Sequence, residues 1–530
     1  MKKMIALVLM LCLMLSVCAP AMAAAYPDPI PFEGSFPFSE EPIEMTAFTT
    51  DVYYKRCDFQ DIAIWPYLAE KTNVSFKFEA YPESDITEKF SLLLTKPTEQ
   101  LPDVIYRVGL SNAEVMKLAD EGIIVPITDY LEEYAPHFWY QIQQNPSLKA
   151  YLTMNDGEIY GMNELEYATN YVTPPVFVHG EWLKALGYDE VPADTEEFKQ
   201  MLIKFRDSDL NGNGEKDEVG VIATSLKGLL RMFTGAFGIN TRGRTSEFLD
   251  VDDAGALRFI PTSENYRKML RYINELYSEG LIYQEIFSSS IANMTAVGEQ
   301  NRVLIGKSSL HYLGANNRDN YVGMETILKG PDGYQFNADI GNPIAQQNTF
   351  ITCNNDHIEE TLRYFDYFYS REGVTLYFMG FEGETFEFDE NGLPWYNDYV
   401  NHNPEGLINE EVLGAYVPWG GSVNPSMYDN ACFGNNLYTP MESAVCAERI
   451  KSAVPEAWGT FNYSDEEYMR LATLESDIQT YVTDMRAKFI TGDADIEADW
   501  DQYVATLERM QLEELMKIYQ NGLDRYNAAK

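Results

Sequence analysis

Apolar and polar residues alternate in two different ways along the first third of the chain. Residues 74–78 alternate with a period of two, which predicts a β-strand, whereas residues 62–71 place Ile64, Tyr67 and Leu68 on one helical face. Further elements of this unit are strands at 45–49 and 101–106 and helices at 84–95 and 113–120. Because strand and helix follow one another repeatedly, the pattern predicts a parallel, doubly wound α/β sheet with its ligand edge at the carboxyl ends of the strands.

A second α/β unit begins near residue 176. Residues 176–178 predict a strand, and residues 195–206 predict a helix that starts at a box-like Asp194-x-x-Glu197 turn. The apolar stripe of this helix is formed by Phe198, Met201, Leu202 and Phe205. The segment 164–175, rich in Tyr, Asn, Thr and Pro, is interpreted as a hinge between two lobes.

The later pattern predicts that the chain crosses between the lobes more than once. An apolar strand at 302–306, followed by a long helix, indicates a return to the first lobe and a second departure. The first lobe is therefore expected to contain residues 40–168 and 292–345, and the second lobe residues 169–291 and 346–530.

The first 23 residues predict export. Two lysines precede an apolar run from residue 4 to 17, and Ala21-Met22-Ala23 offers a small-x-small cleavage site. A lipid anchor is not expected, because Val17 precedes Cys18 where a lipobox requires a small residue. The protein is expected outside the cell or in the periplasm, at the outer face of the cytoplasmic membrane. About 500 residues remain after processing, which is more than one core usually organises.

Composition and charge narrow the possible partners. Hydrophobic residues make up 45% and aromatic residues 13% of the chain, as in an ordered globule. The formal net charge of −43, from 39 basic and 82 acidic residues, excludes nucleic acid as an expected partner, because phosphate binding needs clustered cations. Four cysteines follow the signal and allow three pairings; Cys432 and Cys446 are the preferred pair because they are close in sequence.

The segment 209–218 has the pattern of a calcium-binding loop. Oxygen-bearing side chains occupy loop positions one, three, five and nine, and glycine stands at position six, where the turn is sharp. The predicted ligands are Asp209, Asn211, Asn213, Glu215 through its carbonyl, Asp217 and Glu218. Position twelve is Gly220 instead of the usual Glu, so Glu218 is the expected substitute, with Asp207 in support. The alternative is a metal-free Asn/Gly turn.

Calcium is expected to be structural. The chain contains one such loop, and the strand-like residues 219–223 follow it where a sensor would have a second helix. Catalytic patterns give no comparable signal: the five histidines are scattered, and the sequence has no HExxH, no GxSxG elbow and no phosphate-binding loop. An enzyme is therefore unsupported by the sequence.

Several short segments, taken in order over residues 43–460, resemble the extracellular solute-binding proteins of ABC sugar importers, in particular the alginate-binding and lipoprotein-type oligosaccharide receptors. The segments are Leu101-Pro102-Asp103-Val104-Ile105-Tyr106, Asp156-Gly157-Glu158-Ile159-Tyr160-Gly161, Trp182-Leu183-x-x-Leu186-Gly187, the loop 209–218, Phe365-x-x-Phe368-Tyr369-Ser370-x-Glu372-Gly373, and Gly380-x-Glu382-Gly383 with Asn391-Gly392. The chain departs from that family in its missing lipobox and its extra cysteines.

The resemblance implies a two-lobed periplasmic-binding-protein fold of the α/β class that closes on a ligand. It also implies a monomer without catalytic activity that captures an oligosaccharide and passes it to the permease subunits of an ABC transporter. Candidate ligand contacts are Tyr106, Arg107, Tyr167, Tyr171, Phe233, Phe237, His311, Tyr312 and Trp419. The alternatives are a receptor for peptides or other polar solutes, and a secreted carbohydrate-active enzyme.

Overall fold

The fold was analysed in a computed structural model. It describes residues 29–52, 54–166, 173–240, 242, 247–314, 316–340, 344–407, 409–419, 425–429, 432–433, 440–453, 457–458 and 460–529. The strands are β1 Ile43–Thr50, β2 Val74–Tyr81, β3 Val104–Leu110, β4 Gly161–Glu166, β5 Val176–His179, β6 Val219–Ala223, β7 Leu249–Val251, β8 Leu257–Phe259, β9 Val303–Lys307, β10 Tyr321–Gly323, β11 Ile344–Ile351, β12 Phe386–Phe388, β13 Pro394–Tyr396 and β14 Met427–Tyr428.

The helices alternate with the strands in the first two-thirds of the chain and dominate its end. They are α1 Ile64–Thr72, α2 Glu83–Leu93, α3 Asn112–Asp120, α4 Thr128–Tyr134, α5 Pro136–Gln144, α6 Pro146–Leu152, α7 Gly180–Ala185, α8 Thr195–Arg206, α9 Leu226–Thr234, α10 Glu264–Ser278, α11 Ile291–Glu299, α12 Ile358–Asp366, α13 Arg371–Met379, α14 Asp398–Asn401, α15 Asn409–Leu413, α16 Pro440–Arg449, α17 Asp465–Thr491, α18 Trp500–Arg509 and α19 Leu512–Ala529.

Two separate sheets form the centres of the two lobes. The first-lobe sheet has six strands in the order β14-β4-β11-β3-β1-β2, and the second-lobe sheet has four in the order β10-β5-β9-β6. Strands β1, β2 and β3 are parallel, as the sequence predicts, and so are β6 and β9. Neither sheet is wholly parallel, because β11 runs antiparallel to β3 and β4, and β5 runs antiparallel to β9.

The predicted division of the chain between the lobes is wrong in two segments. Strand β9 was expected in the first lobe, as part of residues 292–345, but it pairs with β5 and β6 of the second. Strand β11 was expected in the second lobe, as part of residues 346–530, but it pairs with β3 and β4 of the first. An apolar strand pattern reports burial on both faces, and it does not report which sheet provides the neighbours.

Each lobe has its own apolar core. The first-lobe core gathers side chains from β1–β4 with α12 and α13, including Tyr106, Phe365 and Tyr377. The second-lobe core gathers β5, β6 and β9 with α8–α10 and α17–α19, including Phe198, Phe233 and Phe489. The chain passes between them after β4, in the predicted hinge, and again after β10 and β14.

The two cysteines that the sequence pairs lie in different lobes. The preferred Cys432–Cys446 disulfide is wrong: Cys432 is buried in the first-lobe core, whereas Cys446 is buried in a second-lobe cluster with Phe177 and Met294. In the part of the chain that the structure describes, no helix is long and apolar enough to cross a membrane.

Candidate interlobe binding site

A cavity of about 420 Å³ lies where the start of α3 in the first lobe meets the C-terminal helices of the second. Its described lining comprises Ser111, Ala113, Glu247, Phe248, Leu249, Thr460, Phe461, Tyr463, Tyr468, Leu471, Ala472, Glu475, Gln479 and Tyr519. The first-lobe residues of this lining follow β3 directly, so the cavity lies at the carboxyl edge where an open α/β sheet binds ligands.

The position of α3 is set by its N-terminal cap. The Ser111 side chain accepts from the backbone N–H of Glu114, and the Glu114 carboxylate accepts from the backbone N–H of Ser111, so both orphan amides are satisfied. The following residue, Asn112, is buried and donates to Asn462 at 2.6 Å. The hydrogen bond between Asn112 and Asn462 therefore joins the start of α3, in the first lobe, to the loop that lines the cavity.

The loop that carries Phe461 and Tyr463 bridges the lobes. Asn462 donates to the carbonyl of Thr153 at 2.7 Å, and Asn155 donates to the carbonyl of Tyr463 at 2.6 Å. The rings of Phe461 and Tyr463 belong to the second-lobe core, together with α17 and α19. A ligand in the cavity would thus contact groups held by both lobes.

The chemistry of the cavity combines aromatic faces with oxygen acceptors. Phe248, Phe461, Tyr463, Tyr468 and Tyr519 provide the rings, and rings of this kind cover the apolar faces of small polar ligands. Two carboxylates and one amide, from Glu247, Glu475 and Gln479, provide hydrogen-bonding groups. Its volume is within the range of small-molecule sites.

A buried ionic group lies at the carboxyl end of β9. Lys307, the last residue of the strand, donates to the Asp339 carboxylate, and Arg231 on α9 lies 4.0 Å from that carboxylate. All three side chains are at most 8% exposed. Two cations around one carboxylate stabilise its charged form, so this group forms a fixed polar edge of the second-lobe sheet.

The structure places four of the predicted aromatic ligand contacts in the cores. Tyr106 is fully buried and hydrogen-bonded to the Tyr377 hydroxyl at 3.0 Å. Phe233 and Phe237 pack in the second-lobe core, and Trp419 donates from its indole nitrogen to the carbonyl of Phe378 at 2.8 Å. None of these rings lines the cavity.

The remaining predicted ligand contacts that the structure describes also lie outside the cavity lining. Arg107 is completely buried with φ of 56°, and its guanidinium lies 5.5 Å from the centre of the Phe59 ring. His311 is exposed, with its ring nitrogen 3.5 Å from Arg318, and Tyr312 is half-buried. Tyr167 and Tyr171 lie outside the described residues.

The sequence interpretation missed the cavity residues on α17 and α19. Residues 505–519 form an acidic, amphipathic run in the sequence; such a run predicts a buried helix face, but it does not identify the partner of that face. Phe461 and Tyr463 follow no strand or motif. Their role depends on contacts with residues more than 300 positions away, such as Asn155.

The predicted calcium loop lies between α8 and β6, and three of its predicted ligands, Asn211, Asn213 and Asp217, contact one another through their side chains. The Asp217 carboxylate accepts from the side-chain amides of Asn211 and Asn213 at 3.2 and 3.1 Å through Oδ1. Its Oδ2 lies 2.9 Å from Arg302 Nε. Asp209 accepts from the Gly214 amide at 3.1 Å. Among the described residues, no three His, Cys, Asp or Glu side chains are gathered closely enough to form a metal cluster.

Glu218 provides the test of whether this loop fits a cation. Its side chain is 8% exposed, and within the described residues both carboxylate oxygens are buried without a hydrogen-bond donor. Burial, and then the nearby carboxylates of Asp217 and Asp209, raise the pKa of Glu218. A buried carboxylate with two unsatisfied oxygens is costly unless a cation pairs with it, so the donor set fits calcium. Asp207, in contrast, is paired with Arg206 at 3.0 Å.

Comparisons of the sequence and of the structure with known proteins both find the same relative. No family model matches the chain. The fructooligosaccharide ABC transporter substrate-binding protein FusA of Streptococcus pneumoniae is 26% identical over 534 residues, which covers 97% of this chain and 96% of FusA. The similarity thus extends through both lobes and is not confined to the calcium loop.

Solved structures share the fold over nearly the whole chain. S. pneumoniae FusA in complex with kestose matches with a TM-score of 0.70 and 24% identity, over 92% of this chain and 100% of that chain. An EF-hand mutant of FusA in complex with fructo-nystose matches with a TM-score of 0.69 and 25% identity over the same shares. The alginate-binding protein AlgQ2 without calcium ion matches with a TM-score of 0.69 and 20% identity, over 93% and 100%.

Proposed function

This chain is a solute-binding protein of the ABC sugar importer type, and we propose that it captures an oligosaccharide in the interlobe cavity and presents it to the permease subunits of its transporter. The observation that carries the proposal is the lining of the cavity. Aromatic rings and carboxylate or amide oxygens lie side by side there, which matches a sugar, whose apolar ring faces alternate with hydroxyl edges.

A short oligosaccharide with fructose units is the first ligand to test. The relative with 26% identity is named for fructooligosaccharide, and its solved structures contain kestose and fructo-nystose. The protein is proposed to act as an exported monomer outside the cytoplasmic membrane. The relative and the solved structures described above are binding proteins, so this chain is a receptor and not an enzyme.

Calcium is proposed as a structural ion of the second lobe. The donors would be Asp209, Asn211, Asn213, the Glu215 carbonyl, Asp217 and Glu218. The support is the buried, unsatisfied carboxylate of Glu218 beside Asp217. When bound, the ion would neutralise the acidic loop and hold the end of α8 to the start of β6; it has no part in contacting the sugar.

The function is tested by combining a thermal-shift screen with product analysis. A ligand that binds only the folded protein raises the melting temperature by mass action, so kestose and related oligosaccharides should raise it at millimolar concentration, whereas di- and tripeptides should not. Thin-layer chromatography after a long incubation should show the saccharide unchanged. Stabilisation by peptides alone would contradict the oligosaccharide proposal, and released sugar products would contradict the receptor assignment.

A further inference from the structure

The two carboxylates of the interlobe cavity have different electrostatic surroundings. Both oxygens of Glu247 face cations: Arg486 lies 2.5 Å from one, and Lys227 lies 3.0 Å from the other. Glu475, on α17, accepts a hydrogen bond from the Tyr519 hydroxyl at 2.5 Å. In the described part of the chain no Lys, Arg or His forms an ion pair with Glu475. Glu475 is therefore the cavity carboxylate whose charge is not compensated by an ion pair.

The rest of the described lining does not supply the missing cation. It contains aromatic, aliphatic, hydroxyl and amide side chains, but no lysine or arginine. Burial, and then the nearby charge of Glu475, raise the pKa of the Tyr519 and Tyr463 phenols. Burial raises the pKa of Glu475, while the hydrogen bond from Tyr519 opposes that rise. The Tyr519 hydroxyl thus holds the carboxylate in place and supports its charged form.

Resting on the proposed function, we propose that Glu475, positioned by Tyr519, makes the cavity selective for neutral oligosaccharides over saccharides that contain uronic acids. A carboxylate accepts hydrogen bonds through about four lone-pair directions, so Glu475 can accept a sugar hydroxyl in addition to the Tyr519 hydroxyl. That bond is charge-assisted, and it favours a neutral sugar.

A uronic acid would meet the same group as a repulsive neighbour. Its carboxylate would enter a partly desolvated cavity whose described lining contains the carboxylate of Glu475 and no lysine or arginine, and like charges placed together in this way disfavour binding. Selectivity of this kind arises from rejection of the competitor as much as from attraction of the ligand. The alginate-binding protein AlgQ2 shares the overall fold, so the fold itself does not decide the charge of the ligand.

The test compares two saccharides by calorimetric titration of the full-length mature protein. Kestose is the neutral probe, and a trisaccharide of mannuronic acid is the acidic probe. The wild type should bind kestose at least about tenfold more tightly than the acidic probe, which corresponds to a difference in binding free energy of about 1.4 kcal/mol. Glu475→Gln retains the shape and a hydrogen-bonding group while removing the charge, so the preference should fall by about tenfold.

Two further variants separate charge from shape. Gln479 lies one helical turn from Glu475 and lines the same cavity, so Gln479→Glu should strengthen the rejection of the acidic probe. Tyr519→Phe removes the positioning hydroxyl and should weaken kestose binding while changing the preference less than Glu475→Gln does. The far-ultraviolet circular dichroism spectrum and the melting temperature of each variant establish that it is folded.

The outcomes distinguish this inference from the function on which it rests. If neither saccharide binds the wild type, the proposed function fails and the inference fails with it. If kestose binds, and folded Glu475→Gln retains the wild-type ratio of the two affinities, the function stands and the selectivity role of Glu475 is overturned. Equal binding of both probes to the wild type would overturn it as well.

Discussion

Two buried histidines show how the surroundings of one side chain determine its charge. His179 ends β5 and stacks on the Trp182 indole with 3.8 Å between ring centres, and burial lowers its pKa to about 4. His137 is also buried, but its Nδ1 lies 2.5 Å from the Asp366 carboxylate. Burial opposes protonation of His137, and the Asp366 carboxylate outweighs that effect, so its pKa is raised. Folding therefore disfavours the protonated form of His179 in the second lobe and favours the protonated form of His137 in the first lobe.

His179 predicts a loss of stability in acid. Because its pKa is about 4 when folded and 6.5 in the reference state, the unfolded chain binds the proton more readily between these values. The contribution of neutral His179 is complete above pH 6.5 and is lost as the pH falls towards 4. At pH 5 the loss should be about 2 kcal/mol relative to pH 7. Urea unfolding at both pH values should show a loss about 2 kcal/mol larger in the wild type than in His179→Gln, because His137 and the other titrating groups are common to both proteins.

The control for this prediction is His402, whose side chain is 80% exposed. His402→Gln should unfold with the pH dependence of the wild type, because the exposed imidazole keeps its contact with water in the folded state. An equal pH dependence in the wild type and in His179→Gln would contradict the account of His179.

At the residue scale, three of the predicted calcium donors lie together in the structure, whereas the predicted ligand contacts are dispersed. Alternating oxygen side chains and Gly214 are local features, and the structure keeps Asn211, Asn213 and Asp217 in mutual contact. Aromatic residues carry no comparable local signal, since the chain has 36 Tyr and 28 Phe. Tyr106 is in the core because it meets Tyr377, 271 positions away, and no local pattern reports that contact.

Among the elements, those with a complete set of local signals were predicted best. Helix α8 has the predicted bounds 195–206, because the Asp194 side chain accepts from the amides of Glu196 and Glu197 and an apolar stripe follows. Strand β3 starts later than predicted, at Val104. The Asp103 carboxylate accepts from the backbone N–H of Thr46, and Pro102 has no backbone N–H to donate. The backbone hydrogen bonds that pair β3 with its neighbours therefore begin after these two residues.

The calcium loop is joined to β9 by one arginine. Arg302 Nε donates to the Asp217 carbonyl at 2.7 Å and lies 2.9 Å from Asp217 Oδ2, so Oδ1 remains turned into the loop. Residues that orient a metal ligand in this way commonly change metal affinity by 10- to 100-fold. Arg302→Gln should therefore weaken calcium binding by about tenfold in a calorimetric titration.

A second arginine near the loop provides the matched control. Arg206 pairs with Asp207, which is outside the donor set, so Arg206→Gln removes the same charge without freeing a ligand. The calcium affinity of Arg206→Gln should remain within about twofold of that of the wild type. Removal of calcium by a chelator should lower the melting temperature of Arg206→Gln and of the wild type alike. Equal affinities of Arg302→Gln and the wild type would contradict the orienting role, whereas a wild type that takes up no calcium would contradict the metal site itself.

At the scale of the whole molecule, the sequence predicted two α/β lobes joined by a hinge, but it exchanged two segments between them. Chain length and the strand–helix alternation are sufficient for the two-lobe prediction. The position of β9 depends on a pairing with β6, more than 80 residues earlier. The antiparallel return of β11 depends in the same way on β3 and β4, and pairings at that distance leave no local trace.

The long-range assembly of the interlobe cavity explains why the sequence did not predict it. Its walls come from the start of α3, the segment before β7 and the helices α17 and α19, which are brought together only when the C-terminal helices pack on the second-lobe core. Bridging hydrogen bonds from Asn112 and Asn155 then attach this region to the first lobe. A ligand held there would stabilise both lobes together.

The central claim, that the interlobe cavity captures an oligosaccharide, is tested most directly by filling the cavity. Ala472 on α17 is exposed and lines the cavity, whereas its exposed neighbour Thr473 does not, so Ala472→Trp and Thr473→Trp differ in whether the added indole enters the site. In calorimetric titrations with kestose, Thr473→Trp should bind like the wild type, and Ala472→Trp should bind at least about tenfold more weakly, equivalent to about 1.4 kcal/mol. Wild-type affinity in folded Ala472→Trp would contradict the claim.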